Sequence, residues 1–440
     1  MIFTSGCRKV SKSESEPTAG GASKRSKSLG AVAGSSASQS EPQSQPQPQP
    51  QPQSQSQPRE LEASMLDDFI LRKIVKENHG SEVVGLEFNR VQADASNMVA
   101  TVGANQLNVY DNEHIGDHLD IVSQYMAPDT EDSILCMAWA DAPVDSLLVV
   151  GNSAGRVQVI SLVNSVVIAE ATVHSAAVTA LHVPLTTSDH MLITASRAEG
   201  VVKAWSLPDL TPLASLASAA GCITSAAPAP HWAAARTAAE EPASDVTLVV
   251  GTLGGDIEVW DVPTDGSGRE PVARGSLVRS ELPARQHLAP IDCVRVISTT
   301  ALVSKSTDGR LVVWQKGEAA ALETAVAKCA LAVEPPTPQA GPIFTSFDVS
   351  ANGKYLAVGS AKTVQLISTE TWSVDKVLEH HRVRTEVYTA RFTKTGSSII
   401  FSGSDAFIWR FDYFPPETAD EKAVREAREA RQSKIQFRDS

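Results

Sequence analysis

The chain has no long hydrophobic run. No window of its 440 residues approaches eighteen uninterrupted apolar positions, so a helical membrane span is not expected. Aromatic residues are scarce at 5%, whereas Gly (26) and Pro (25) are plentiful, as in chains built from many short elements joined by turns. The five Cys are odd in number, widely separated, and never spaced C-x-x-C. That excludes a disulfide framework and speaks against a zinc site; reduced, inert thiols of a cytosolic or nuclear protein fit better. The opening segment, MIFTSGCRKVSKSESE, lacks the apolar stretch of a secretory signal.

Positive charge is outnumbered over most of the chain. Residues 1–60 carry seven basic and four acidic side chains, while the whole chain has a formal net charge of −13, so the remainder is strongly acidic. Such a body repels phosphate backbones, and direct nucleic-acid binding by the folded part is not expected. The segment SQSEPQSQPQPQPQPQSQSQP cannot bury enough apolar surface to offset its ordering entropy. Residues 1–62 therefore read as a disordered Gln/Pro/Ser-rich tail. Within it, SKRSKS at 23–28 is either a weak nuclear-localisation cluster or plain solvated charge.

What the sequence does contain is repetition. STDGRLVVWQK, at 306–316, combines an Asp-Gly turn, an alternating apolar run and a terminal Trp. Six other segments share this plan, and the seven end near Tyr110, Ile160, Trp205, Trp260, Trp314, Ile367 and Trp409, at intervals of 42–55 residues. Each is preceded by two further strand-like runs, for example DCVRVIS and ALVSKS ahead of the unit ending at Trp314. This period predicts an all-β, seven-bladed WD-repeat β-propeller over 63–414. The last unit has no strand after it, and FILRKIVKEN at 69–78 has no partner of its own. Pairing the two closes the ring and removes its open edges.

The same period accounts for motifs that otherwise look chemical. His287, Ser304, Asp308 and Trp314 recur as His381, Ser402, Asp405 and Trp409. In a hydrolase a Ser-His-Asp trio is a nucleophile relay. Here its blade-locked spacing predicts a structural hydrogen-bond chain that satisfies buried polar groups. GNSAGR and GTLGGD lie between strands instead of ahead of a helix, so they are turns and not phosphate cradles. No acidic or metal-binding cluster breaks the blade period; the ring reads as non-catalytic, with no cofactor. Two segments depart from the pattern. The long stretch 262–290 is either a partner-contacting loop or a tolerated insertion, and 226–245 reads as a surface loop. After the ring, residues 415–440 hold ETADEKAVREAREARQSK, whose capping box and charge order predict a C-terminal helix and tail.

Several blocks resemble one family: KENHGSEVVGLEFN at 76–89, ATVGANQLNVYD at 100–111, CMAWA at 136–140, VGNSAGRVQVI at 150–160, IDCVRVISTTALVSKSTDGRLVVWQKG at 291–317 and FSGSDAFIWRFD at 401–412. They are similar to the WD-repeat subunit of Polycomb histone methyltransferase complexes, the extra sex combs or embryonic ectoderm development family. The resemblance covers about 70–414, and its middle units match only as generic WD repeats. It implies a nuclear, non-catalytic scaffold supporting repressive histone lysine methylation and gene silencing. Its partner is an Enhancer-of-zeste-type SET-domain methyltransferase, one helical segment of which lies in a propeller groove.

The resemblance also implies a cage of four aromatic side chains for a trimethylated histone lysine. The cage positions fall on Val84, Leu135, Ile343 and Phe344, of which only the last is aromatic. A one-residue slip substitutes Trp139 or Phe347, on positions better suited to the core. A histone tail is therefore expected to bind weakly at most. The competing expectation is a generic WD-repeat adaptor of another intracellular complex, such as a ubiquitin ligase or a ribosome-assembly factor, which explains the ring but not the 291–317 block.

Overall fold

A computed structural model describes residues 2–5 and 60–414, apart from 114–118, 143–144, 185–190, 218–222, 229–244, 264–269, 278–286, 299, 318–325 and 335–344. Tail residues 7–59, the loop at 229–244 and the expected helix in 415–440 lie outside the described residues.

Seven antiparallel sheets follow one another along the chain and form the blades of a β-propeller. Blade 5 shows the pattern: Ile291–Val296 innermost, then Ala301–Ser306, Arg310–Gln315 and, outermost, Val326–Ala332. The two middle strands are apolar without strict alternation because both their faces pack against neighbouring blades. Outer strands alternate: in Val166–Thr172 of blade 2, every second residue is exposed. The fourth strand of blade 4, Val272–Ser276, lies inside the stretch 262–290, so part of that stretch is blade and not insertion.

Closure occurs as the unpaired segment predicts. Phe69–Lys76 pairs antiparallel with Phe407–Tyr413 and supplies the outer strand of blade 7, with Ile74 opposite Trp409. First and last parts of the chain thus share one sheet. Residues ahead of this strand belong to the ring as well. Leu61, Met65 and Leu66 are buried in the cluster that joins blades 6 and 7, and Asn352 Nδ2 donates to the Leu61 carbonyl at 2.8 Å. Leu61, two residues before the boundary that composition marks, is thus packed into the ring. At the opposite edge, Ile2–Ser5 pairs with Asp120–Met126 as a fifth strand on blade 1.

The core consists of interblade clusters. Val249, Ile257, Ile291, Val312 and Trp314 fill the space between blades 4 and 5. Each such side chain contributes about 1.5–3 kcal/mol on burial. Buried charge supplements this packing near the axis. Arg90, following the inner strand of blade 1, forms a two-pronged pair with Asp348 of blade 6, whose carboxylate also accepts from the backbone N–H of Phe392 in blade 7. Three blades are thereby tied together. Between blades 5 and 6, Lys305 Nζ donates to Asp292 Oδ2 at 2.7 Å and also contacts Thr345 Oγ1.

Candidate functional site

The Ser-His-Asp constellation of blade 5 is assembled, and it is closed. Trp314 Nε1 donates to Ser304 Oγ at 2.8 Å; His287 places Nε2 2.5 Å from Ser304 Oγ and Nδ1 2.7 Å from Ser306 Oγ. Asp308 joins through Ser306, whose hydroxyl donates to Oδ1 at 2.5 Å. With that proton committed, Nδ1–H donates to Ser306 and Nε2 accepts from Ser304. Burial pushes the imidazole down to about 4, consistent with one neutral tautomer. Ser304 has no exposed surface, so no substrate reaches its hydroxyl. The chain is structural.

Blade 3 repeats the arrangement with substituted chemistry that sequence reading missed. His174 Nε2 lies 2.9 Å from Thr194 Oγ1, Trp205 Nε1 donates to the same oxygen at 3.0 Å, and Glu199 replaces the turn Asp, 2.6 Å from His174 Nδ1. Blade 1 keeps the theme: His79 lies 3.1 Å from Thr101 Oγ1, and Tyr110, opposite Val99, occupies the place of the Trp.

Blade 7 departs from the expected His381-Ser402-Asp405-Trp409 chain. His381 is exposed and its ring lies against that of His380, with centroids 4.2 Å apart. Register explains the failure. Leu302 faces Trp314 in blade 5, and the equivalent pair in blade 7 is Ile399 and Phe411, while Trp409 sits two residues nearer the turn, opposite Phe401. The positions of the histidine, hydroxyl and indole are filled by Val383, Phe401 and Phe411. All three are buried with Trp409 in one apolar cluster, in which Phe401 stacks on the rings of both Trp409 and Phe411. Ser402 Oγ is left buried without a hydrogen bond, and Trp409 Nε1 makes none of ordinary geometry, although the indole still acts on the Asp405 carboxyl, opposing the rise that burial causes there.

The cage positions do not form an aromatic enclosure among the described residues. Val84 and Leu135 are half-buried at the entry to the inner strands of blades 1 and 2; Leu135 is the extra residue of a β-bulge between Ile134 and Cys136. Ile343 and Phe344 lie outside the described residues. The aromatic side chains that a register slip substitutes are core residues. Trp139 is buried and donates Nε1–H to the Glu87 carbonyl at 3.0 Å, and Phe347 is wholly enclosed.

A concave feature lies elsewhere, between blades 5 and 6. A cavity of 320 Å³ is bounded by Ser298 and Gln315 on one side and by Asn352, Glu370 and Trp372 on the other. Trp372 occupies the left-handed region at φ 55°, where Gly or Asn is the ordinary choice. A bulky residue there costs about 1–2 kcal/mol, so the neighbouring structure holds the indole at the cavity wall against a local backbone preference. Hydroxyl, amide, carboxylate and indole together suit a basic or hydrogen-bonding side chain of a bound segment. Among the described residues, no group of three or more His, Cys, Asp or Glu is placed to hold a metal ion, and no helix is long and apolar enough to cross a membrane. In comparisons with known proteins, the chain matches no family model, and no curated protein matches it significantly.

Proposed function

We propose that the ring is a non-catalytic scaffold subunit of a Polycomb-type histone methyltransferase complex in the nucleus, holding an Enhancer-of-zeste-type SET-domain enzyme. The family reading rests on the resemblance of the 291–317 block and its companions. The physical support is the closed state of the polar chemistry. Ser304, His287 and Asp308 satisfy one another inside a blade, which suits a frame better than a reaction centre. Burial on both faces of the middle strands makes the frame rigid, and rigid frames present partner contacts on their loops and grooves.

The cavity between blades 5 and 6 is the candidate contact for the partner's helical segment. At 320 Å³ it accepts one or two anchoring side chains and not a whole helix. Affinity purification of the tagged chain followed by mass spectrometry tests the reading. Recovery of a SET-domain methyltransferase, reduced by Trp372→Ala, is the expected result. If no methyltransferase is recovered and depletion leaves bulk histone methylation intact, the ring is an adaptor of another complex.

A further inference from the structure

The seven innermost strands can be aligned by register without reference to sequence similarity. Glu87 faces Ala100, Ala138 faces Val149, His182 faces Ile193, Ala227 faces Val249, Arg295 faces Val303, Asp348 faces Ala357 and Arg391 faces Ile400. These are the same position in the seven blades, a single layer around the axis. Of its charged members, Arg391 donates to Glu87 Oε1 at 2.5 Å and to Ser346 Oγ at 2.9 Å, and Asp348 is held by Arg90. Among the described residues, Arg295 alone of these charged side chains pairs with no carboxylate. Among the described residues its side chain donates to the adjacent Val294 carbonyl, at 3.3 Å.

Arg295 nevertheless feels the rest of the layer. His182, half-buried on the inner strand of blade 3, is pushed down to about 3, first by burial and then by the positive charges of Arg295 and Arg391. The imidazole is therefore neutral and free to donate one N–H. Blades 2 and 4, on either side of His182, contribute only alanine to the layer, and its two carboxylates, Glu87 and Asp348, are engaged by Arg391 and Arg90. A half-buried guanidinium without a counter-charge among the described residues is the arrangement that planar oxyanions satisfy, two oxygens at a time.

We propose that the central channel binds a small oxyanion, a phosphate or a carboxylate, between the Arg295 guanidinium and the His182 imidazole. Because Arg90, from outside the layer, already neutralises Asp348, and Glu87 neutralises Arg391, a bound anion supplies the counter-charge of Arg295 and links blades 3 and 5 past blade 4. The test is calorimetric titration of the full chain with sodium phosphate and, separately, sodium acetate, at ionic strength held constant with sodium chloride. Saturable one-to-one binding of at least one anion is expected, and the stronger of the two identifies the source. Arg295→Gln should weaken it by about 10- to 100-fold, as expected for a charge-assisted bond, with Arg295→Lys intermediate. Ala138→Glu provides a second arm: a carboxylate built into the layer should abolish binding while Arg295 is retained. Saturation matters because phosphate also stabilises folded proteins unspecifically by exclusion from their surfaces. Absence of saturable heat with both anions, or equal affinity in Arg295→Gln, overturns the proposal.

Discussion

At the scale of single residues, two tryptophans that look alike in sequence have opposite environments. Trp314 donates to Ser304 within a closed network, whereas Trp409 is packed by Phe401 and Phe411 and its N–H makes no hydrogen bond of ordinary geometry, only a weak approach to Asp405. Replacement by Phe removes an indole N–H in both cases, but only at Trp314 does it orphan a buried acceptor. Trp314→Phe should therefore cost about 1–3 kcal/mol more than Trp409→Phe. Urea midpoints of the two variants measure the difference; equal values contradict the register assigned to blade 7. Truncation is a different matter, since Trp409→Ala removes the whole ring and should cost about 3–5 kcal/mol. The sequence held a usable sign of the discrepancy. Asp308 precedes Trp314 by six residues, but Asp405 precedes Trp409 by four, a shift that preserves the strand face and so escapes a pattern based on alternation.

Burial of His287 has a consequence for acid stability. Its folded-state value is lowered from 6.5 to about 4 by burial, so between those values the unfolded chain binds a proton that the folded chain does not. Stability from this residue is complete above about pH 6.5 and is lost as pH falls toward 4, amounting to about 3 kcal/mol. His79 and His174 are lowered by the same cause and act in the same direction. Unfolding free energies measured from pH 7.5 to 4.5 should decline less steeply in His287→Gln than in the unsubstituted chain. Parallel slopes exclude the assigned network.

At the scale of elements, the strand from 69 to 76 has the most leverage per residue. Without it, Phe407–Tyr413 presents an unpaired edge, and Phe69, Leu61 and Leu66 leave the cluster between blades 6 and 7. Deleting residues 60–76 should abolish cooperative unfolding and promote self-association, and a synthetic peptide spanning 60–78 should restore monomers when added in trans. Monomeric, cooperative folding of the truncated chain without the peptide would contradict the closure. This strand was legible because it was a strand pattern with no partner in its own neighbourhood. The outer strand of blade 4 was not, since Val272–Ser276 is short and carries Arg274 and Gly275, which weaken its period-2 signal. The polar chain of blade 3 was hidden for another reason: Thr194 and Glu199 do the work of Ser and Asp, and their chemistry is equivalent while their letters are not.

At the scale of the whole molecule, the period reveals the ring but not what the ring brings together. The layer containing Arg295 and His182 takes one residue from each blade, and nothing in a linear chain marks seven positions some 50 residues apart as neighbours. Cage positions pose the same difficulty, because they too come from different blades. Their chemistry, however, can be judged once the alternatives are located. Trp139 spends its N–H on the Glu87 carbonyl and its faces on the core, and Phe347 is enclosed, so neither rotates out to meet a ligand without a loss of core packing. Val84 and Leu135 provide aliphatic contact without the quadrupole that attracts a quaternary ammonium. Each missing aromatic face forfeits roughly 0.5–2 kcal/mol, and three forfeits amount to roughly ten- to ten-thousand-fold in affinity. Titration of the full chain with a trimethylated histone peptide, beside its neutral tert-butyl isostere, should therefore show weak binding and little preference between the two. Tight binding with a strong preference for the cation would mean that aromatic side chains from other blades converge on the ligand, and that the cage positions given to Val84 and Leu135 belong to different residues.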